Sequence, residues 1–355
     1  MFMPLGSVAV VSLEPWDEVW RRNQHLASRL VAQGHVQRLT FICPPTKLRH
    51  VPTQRPTANI TALTPHLFLP RSSGGLGLVA RELRVWGVGR ADVLWVNDAV
   101  LGARLITAGQ ATLYDVTDDW RRTSMASSER RRLVAAEDAL AMRATTVVCS
   151  DVLRERWQER YGVDAHVVQN GVDLAGHKQA RAVDLAGPGP HVMYVGTLHD
   201  ERLDLSLVLA AADRAEVGSV HLVGPDHLSV PSRASIASHP KVLSHGPVPH
   251  AQVPDWMAGA DVLFCPHLID DFTLSLDAIK AFEYLAATKP VVATASSGFQ
   301  SLAPQVGLHV APAERFLDAL MLALASPVPA RPPGGQDWDE RAGQFADLLR
   351  GARRG

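Results

Sequence analysis

The chain has 355 residues, of which 46% are apolar and 20% are charged. Because a single hydrophobic core stops growing at roughly 250–300 residues, we expect two domains rather than one. No apolar run approaches the roughly 18 residues of a membrane-spanning helix, and the N-terminal apolar run follows no basic segment, so we predict neither a membrane span nor a signal peptide.

Three cysteines, Cys43, Cys149 and Cys265, lie far apart in the sequence. They form no CxxC pair and no His/Cys cluster, which argues against a disulfide framework and against a zinc site. We expect each to be a small core residue near the end of a strand. This usage is typical of a reducing compartment, and we predict a cytoplasmic protein.

The formal net charge of -1 conceals an uneven distribution. Residues 1–170 contain 21 Lys and Arg against 16 Asp and Glu, or +5, whereas the remainder contains 14 against 20, or -6. A basic first half would suit an anionic acceptor or the inner face of an anionic membrane, where each nearby cation contributes about 1 kcal/mol. The cations expected there are Arg21, Arg22, Arg121, Arg122 and residues 130–132. The alternative is a surface that is uneven by chance.

The first half alternates short apolar runs with longer segments of helical periodicity, which is typical of a parallel sheet with crossover helices. The predicted strands are SVAVVSL, QRLTFIC, ADVLWVN, ATLYDV, TTVVCS and AHVVQN. The predicted helices cover residues 18–33, 76–89, 124–143 and 151–161, the last with Ser150 or Asp151 as its N-cap. We place this N-terminal, acceptor-side domain at residues 1–173.

Residues 174–190 lack periodicity and are rich in Gly, Pro and small polar residues, so we interpret them as a linker. A second domain, residues 191–330, then repeats the alternation. Its predicted strands are HVMYVGT, SVHLVGP, KVLSHG, DVLFCP, PVVATAS and GLHVAP, and its predicted helices follow Arg202 and cover residues 253–258, 275–287 and 313–325. The expected fold class is α/β, with two doubly wound Rossmann-like domains.

Residues 331–355 comprise the end of a proline-rich break and an amphipathic helix. Trp338, Phe345, Leu348 and Leu349 fall on one side of this helix. It would either cap the second domain or cross back to the first, and the sequence leaves both alternatives open.

Several common catalytic motifs are missing from the sequence. A partial dinucleotide fingerprint at residues 75–80 follows a Pro/Ser/Gly-rich stretch rather than a strand, and we discount it. There is no P-loop, HExxH, GxSxG or paired histidine motif. The sequence therefore gives no motif support for P-loop phosphoryl transfer, metalloproteolysis or α/β-hydrolase chemistry.

The strongest signal is the segment DVLFCPHLIDDFTLSLDAIKAFEYLAATKPVVAT, residues 261–294. A predicted strand ends at Pro266, a loop carries Asp270 and Thr273, and a helix carries Lys280 and Glu283. Ligands of open α/β sheets bind beyond the carboxyl ends of the strands, where cations and a helix N-terminus suit a diphosphate. The alternative is that Lys280 and Glu283 are an exposed helix pair.

This segment resembles the donor-binding signature of retaining family 4 glycosyltransferases, which have the GT-B architecture. It is most similar to a teichuronic-acid-type branch of polysaccharide biosynthesis, which it matches at Pro266, Thr273, Lys280, Glu283, Tyr284 and Pro290. It departs from that branch at Asp270, Ala278 and Thr288, which replace Asn, Pro and Gly. Ser275 stands where the stricter family signature has its first acid. The Thr288 departure concerns the backbone, since a glycine position often needs a positive φ.

The resemblance implies a set of donor-binding residues: Gly196, Thr197, Arg202, Asp270, Thr273, Lys280 and Glu283. Glu283 would hold the ribose hydroxyls, Arg202 would grip the diphosphate through its guanidinium, and Asp270 would orient sugar hydroxyls. The alternative for Arg202 is that it merely begins a helix.

In the first domain, EPWDEVWRRNQHLASRL and YDVTDDW resemble the branch's first loop and its acid-bearing motif. Trp16, Arg21, Asn23 and His25 would line the cleft on the acceptor side, and Asp115, Asp118 or Asp119 would face the acceptor. With Asp270, Asp118 and Asp119 are the implied catalytic acids. Asp118 and Asp119 could equally cap a helix starting near Trp120, and packing is the preferred role for His25.

The implied function is transfer of a sugar, with retention, from a nucleotide-diphosphate sugar to a glycan, lipid-linked or cell-envelope acceptor. The donor would sit in the cleft between the domains, and electrostatics would replace a metal, so we expect no metal and no cofactor. No nucleic-acid partner is expected. The rival functions are a nucleotide-sugar 2-epimerase of the same fold and an inactive sugar-nucleotide-binding relative.

Overall fold

A computed structural model of the chain describes residues 3–49, 51–123, 125–271, 274, 279–303, 305–325, 327–331 and 336–354. The chain forms two compact units, Met1–Gln169 with Trp338–Gly355, and Asn170–Asp337. The boundary therefore falls slightly before the predicted one. The predicted linker, residues 174–190, belongs to the second unit and begins with a short helix, α6, described below.

The first unit is built on one sheet. Its strands are β1 (Leu5–Val11), β2 (Val36–Ile42), β3 (Gln54–Thr57), β4 (Ile60–Leu63), β5 (Val93–Val96), β6 (Thr112–Val116), β7 (Thr145–Val148) and β8 (His166–Val167). The order across the sheet is β3-β4-β2-β1-β5-β6-β7-β8. All of these pairings are parallel except that of β3 with β4, an antiparallel hairpin at one edge.

The helices of the first unit are α1 (Arg22–Ala32), α2 (Gly75–Val85), α3 (Ala99–Leu105), α4 (Ser127–Ala141), α5 (Asp151–Tyr161) and the C-terminal α13 (Trp338–Arg354). The predicted N-cap Ser150 accepts a hydrogen bond from the backbone N–H of Leu153 at 3.2 Å. Helix α13 packs against α1, β5 and β6, so the chain returns to the first unit, which was one of the two alternatives. Trp338, Phe345 and Leu349 are buried there.

The second unit repeats the design with six strands. They are β9 (His191–Val195), β10 (Ser219–Val223), β11 (Val242–Gly246), β12 (Val262–Cys265), β13 (Val291–Thr294) and β14 (Leu308–Ala311), arranged as β11-β10-β9-β12-β13-β14 and all parallel. The helices are α6 (Leu174–Gln179), α7 (Leu205–Ala212), α8 (Val230–Ser238), α9 (Val253–Gly259), α10 (Ile279–Ala286), α11 (Ser297–Gln300) and α12 (Phe316–Ala325). The doubly wound fold class is confirmed.

The three cysteines are free and buried, as expected for core residues next to strand ends. Within the residues that the structure describes, no helix is both long enough and apolar enough to span a bilayer.

Candidate active site

The second sheet has a topological switch point between β9 and β12, because the strand order runs outward in opposite directions from this pair. Loops that leave the carboxyl ends of such strands diverge to opposite sides and open a crevice, where ligands of doubly wound sheets bind. The loop after β9 carries Gly196, Thr197 and Arg202, and the loop after β12 leads to α10, which carries Lys280 and Glu283. The structure therefore brings together these five predicted donor-binding residues.

Glycine is required at the end of β9. Gly196 has φ of 150°, and a β-carbon there would lie 2.1 Å from Cε and 2.5 Å from Nζ of Lys280. Gly224, at the end of neighbouring β10, has φ of 144°, and its β-carbon would lie 2.2 Å from the Gly196 carbonyl oxygen. The two glycines let the backbone turns pack closely and leave room for the Lys280 ammonium group.

Positive charge collects at this switch point. Nζ of Lys280 lies 5.5 Å from the centre of the Tyr194 ring. Burial lowers the pKa of Lys280; the Arg202 guanidinium acts in the same direction, while Cys265 and Glu283 oppose the shift. Two cations held near each other in a partly buried place favour an anion between them, because the anion offsets their mutual repulsion and favours the charged form of Lys280.

A pair of histidines that the sequence analysis missed lies beside these cations. The rings of His199, after β9, and His227, after β10, stack with centroids 5.1 Å apart. The pKa of His199 is lowered by burial, and the charges of Arg202, His227 and Lys280 add to the shift. Each histidine closely follows a predicted strand, which was the signal available in the sequence.

The loop after β12 is fixed by buried polar contacts. The Thr294 hydroxyl accepts a hydrogen bond from the backbone N–H of His267 at 3.0 Å and donates to the His267 carbonyl at 2.8 Å. The His267 Nε2 atom lies 3.1 Å from the Tyr194 hydroxyl. Burial, together with the charges of Lys280 and Arg202, lowers the pKa of His267 to about 3, so the ring is neutral. Arg202 joins the same loop, since its carbonyl accepts from the Leu268 N–H at 2.8 Å.

Helix α10 is held over the strand ends by Tyr284. The Tyr284 hydroxyl accepts from the Val195 N–H at 2.8 Å and donates to the Val195 carbonyl at 3.3 Å. It also reaches the carbonyl of Phe264 on β12 at 3.5 Å. One buried hydroxyl therefore links the helix to both strands of the switch point. Glu283 lies on this helix; burial raises its pKa, and Lys280 opposes that shift.

Some predicted positions fall outside the described residues. They are the donor-binding Thr273 and the departures Ser275 and Ala278. Asp270 is described and exposed, and its carbonyl accepts from the Leu274 N–H at 2.9 Å. The donor role of Asp270 stays a prediction.

The Thr288 departure has a structural consequence. Among the described residues, Thr288 is the one non-glycine with a positive φ, at 54°. This left-handed conformation is unfavourable for a β-branched side chain and suits glycine, the residue found here in the branch that the sequence resembles. The sequence left the backbone geometry at this position open, and the structure shows that the positive φ is kept with threonine in place of glycine.

The acids of the first unit lie in two different environments. Asp115 is fully buried and its Oδ2 lies 3.1 Å from Nε of Arg22. Asp119 is also buried, with Arg122, Arg156 and Arg160 within 3.3–3.4 Å.

We therefore correct two expectations in the first unit. The carboxylates of Asp115 and Asp119 are neutralised inside the unit and do not present themselves to an acceptor. Asp119 precedes a 3-10 turn, Trp120–Arg122, but its side chain does not cap it. Asp118 is partly exposed, and its acceptor role stays a prediction.

Of the predicted acceptor-side residues after β1, some are buried inside the unit and one, Arg21, is partly exposed. Asn23 is buried and donates to Asn97 Oδ1 at 2.8 Å, and His25 is buried and stacks on Trp338 with centroids 4.7 Å apart. These two side chains serve the interior of the unit, which is the packing role preferred for His25 and corrects the acceptor-side assignment of Asn23. Arg21 is partly exposed and pairs with Glu14 at 3.3 Å. Trp16 packs edge-on against Phe41 and is nearly buried.

Comparison with known proteins extends these observations. The family described as "Glycosyl transferases group 1" matches residues 189–326, which contain the whole switch point. A glycosyltransferase assigned to teichuronic acid biosynthesis in Bacillus subtilis (strain 168), TuaH, is 24% identical, and the alignment covers 80% of each chain.

Solved structures share the fold along nearly the whole chain. Sucrose-phosphate synthase from Thermosynechococcus elongatus superposes with a TM-score of 0.70 at 17% identity, over 98% of this chain and 94% of that one. Anabaena HepE in complex with UDP-glucose gives 0.64 at 14% identity, over 98% and 97%. WaaG, a glycosyltransferase involved in lipopolysaccharide biosynthesis, gives 0.63 at 16% identity, over 98% of both chains.

The chain has the GT-B fold of these solved structures. Residues 189–326 match the glycosyl transferases group 1 family, and this match together with the teichuronic acid relative supports glycosyltransferase function. These similarities favour a transferase over the nucleotide-sugar epimerase that the sequence left open.

Proposed function

We propose that the chain transfers a hexosyl group, with retention, from a nucleoside-diphosphate sugar to a glycan, lipid-linked or cell-envelope acceptor, without a metal or other cofactor. The observation that carries the donor assignment is the pair of cations, Lys280 and Arg202, at the switch point beside Gly196. The complexes of Anabaena HepE with UDP and with UDP-glucose support a uridine diphosphate donor. The teichuronic acid relative supports a polysaccharide acceptor.

In this proposal the bond between the anomeric carbon and the diphosphate oxygen breaks first. Lys280 and Arg202 stabilise the negative charge that develops on the leaving diphosphate. The acceptor hydroxyl attacks from the same face and passes its proton to a phosphate oxygen of the leaving group, so no enzymic base is required. Glu283 holds the ribose hydroxyls, and Asp270 and Thr273 orient the donor.

The acceptor assignment rests on the first unit. Asp118 follows β6 at the carboxyl edge of the first sheet, and Arg21 follows β1, whose carboxyl end lies on the same edge. We assign Asp118 to a hydroxyl of the acceptor and Arg21 to the hydroxyls of its sugar rings. Charge-assisted hydrogen bonds are the contacts that such side chains provide.

The proposal is tested by incubating the chain with UDP-glucose, with and without a crude polysaccharide acceptor, in excess chelator. We expect glucose incorporation into the acceptor in chelator, with the α configuration of the donor in the product. Without acceptor, slow hydrolysis or no reaction is expected. A changed sugar in the absence of acceptor would indicate an epimerase, and turnover that is lost in chelator and restored by magnesium or manganese would overturn metal independence.

A further inference from the structure

One segment of the first half carries a larger net positive charge than the half as a whole. Residues 44–91 contain seven Lys and Arg and one acid, Glu82, for a net +6, so the rest of residues 1–170 carries -1. The seven cations are all exposed: Lys47, Arg49, Arg55, Arg71, Arg81, Arg84 and Arg90. Within the described part of the chain, none of them forms a salt bridge.

Four of the seven cations that the sequence analysis had singled out are neutralised. Arg21 pairs with Glu14, Arg22 with Asp115, Arg121 with Glu137 and Asp138, and Arg122 with Asp119. The other three, residues 130–132, lie on α4, which also carries three acids. An anionic partner of the first unit is therefore attracted more strongly to residues 44–91 than to α4.

The same segment exposes large apolar side chains. They are Leu48, Phe68, Leu69, Leu78, Val85 and Trp86, with 67% of Leu48 and 80% of Val85 accessible. Helix α2 is unusual because it carries apolar side chains on both of its sides. One side of it, with Leu76, Val79 and Leu83, is buried in the unit, while the opposite side exposes Leu78 and Val85, seven residues apart and hence on one stripe.

Backbone contacts join these side chains into one surface. Thr46 and His66 form a parallel bridge, and the Leu67 N–H donates to the Thr46 carbonyl at 2.7 Å. The Phe68 ring lies edge-on to His66 with centroids 4.4 Å apart. The Gly75 N–H, at the start of α2, donates to the Pro70 carbonyl at 3.1 Å. We call residues 46–49, 66–71 and α2 with Trp86 the basic apolar face.

We propose that the basic apolar face docks the protein on an anionic lipid bilayer. Cations interspersed with Leu, Val, Phe and Trp match the boundary between the lipid headgroups and the acyl chains. At this boundary arginines reach the phosphates while apolar side chains enter the membrane. This inference is independent of the donor site, which lies in the second unit.

Co-sedimentation with vesicles tests the proposal. The probes are vesicles of phosphatidylcholine alone and of phosphatidylcholine with phosphatidylglycerol, at increasing salt. We expect binding to the anionic vesicles only, weakening as the Debye length falls from about 10 Å at 0.1 M to about 3 Å at 1 M salt. Lys47→Gln with Arg81→Gln should lower the partition coefficient roughly tenfold to thirtyfold. Leu78→Ser with Trp86→Ser should lower it at least as much.

Matched control variants remove the same numbers of cations and of exposed apolar side chains outside the basic apolar face. Arg131→Gln with Arg132→Gln removes two cations of α4, and Met142→Ser with Val230→Ser removes two side chains that are 80% and 76% exposed. All variants should keep the wild-type melting temperature and UDP binding, and the controls should keep vesicle binding. Equal binding to both vesicles, no binding, or equal losses in the controls would overturn the proposal. So would self-association without vesicles that the face variants abolish, because a second copy would then cover the face.

Discussion

Lys280 occupies space that only a glycine at position 196 leaves open, so the two residues act as one feature. A side chain at position 196 would displace the ammonium group from the end of β9. The sequence already indicated both residues, through a strand followed by glycine and through the helix after β12. It could not indicate their contact, because that depends on how the helix lies over the sheet.

At the residue scale, Glu283→Gln should lower the affinity for UDP without unfolding the protein. Replacing a carboxylate by an amide weakens hydrogen bonds to the ribose hydroxyls, and a charge-assisted hydrogen bond contributes about 1.5–3 kcal/mol, or roughly tenfold to a hundredfold in affinity. Calorimetric titration with UDP, beside a melting curve, measures both quantities. The exposed Glu314→Gln serves as control. An unchanged UDP affinity would show that Glu283 does not hold the ribose.

Thr288→Gly should stabilise the protein. A β-branched residue at φ of 54° is strained by about 1–2 kcal/mol, and relief of this strain exceeds the entropy that glycine adds to the unfolded chain, leaving a gain of about 0.5–1 kcal/mol. The free energy of unfolding in urea tests this. Ala286→Gly, at the last residue of α10, should instead lose about 1 kcal/mol. Equal losses in both variants would mean that Thr288 is unstrained.

At the scale of elements, Tyr284 links α10 to β9 and β12. Tyr284→Phe leaves the buried Val195 N–H without its acceptor, and we expect a loss of about 1–3 kcal/mol in the free energy of unfolding. UDP affinity should fall as well, since Lys280 and Glu283 lie on the same helix. A variant as stable as the wild-type chain would contradict this role for the hydroxyl.

Whether the sequence predicted a strand or helix depended on how much of that element is buried and how long it is. The twelve predicted strands were found because most of them are short apolar runs that become buried in a parallel sheet. The hairpin of β3 and β4 was missed because Gln54–Thr57 is exposed along its length. Helix α8 was missed because Ile236 is its one buried residue. Helix α3 was missed because it is short and follows a strand directly.

Parts of the site were beyond prediction for a different reason. The salt bridges of Asp115 with Arg22 and of Asp119 with Arg156 join residues far apart in the sequence, and the same holds for the contact of Tyr194 with His267. Whether a carboxylate after a strand is buried or exposed depends on which arginines the fold brings to it. The family resemblance named the acids but could not supply these partners.

At the scale of the whole molecule, stability should fall in mild acid. His221 is buried on β10, with its ring 3.2 Å from His191 Nδ1 on β9 and 2.9 Å from His245 Nε2 on β11. Burial, with the charges of His245 and His191, lowers the pKa of His221 from 6.5 to about 4. Ser219 also faces the ring, and its hydroxyl lies 2.9 Å from Nε2 of His221.

The direction of the pH dependence of stability follows from the lowered pKa of His221. Between pH 6.5 and about 4 the unfolded chain binds a proton at His221 that the folded chain excludes, so stability is complete above this window and is lost as pH falls through it. The slope is at most about 1.4 kcal/mol per pH unit for each histidine. Urea unfolding of the wild type and of His221→Asn between pH 6.5 and about 4 measures how the free energy of unfolding changes with pH. The variant should show a smaller pH dependence, and an identical slope would exclude His221 as its source.

The central claim is that Lys280 and its neighbours at the ends of β9 and β12 bind a nucleoside diphosphate. The direct measurement is calorimetric titration of UDP and of uridine into the wild-type chain, Lys280→Met and Lys178→Met, the last an exposed lysine on α6. We predict that wild type and Lys178→Met bind UDP equally, and that Lys280→Met binds it at least roughly tenfold more weakly while its weak affinity for uridine is unchanged. Wild-type affinity for UDP in Lys280→Met, or no binding of UDP to any of the three, would contradict the account.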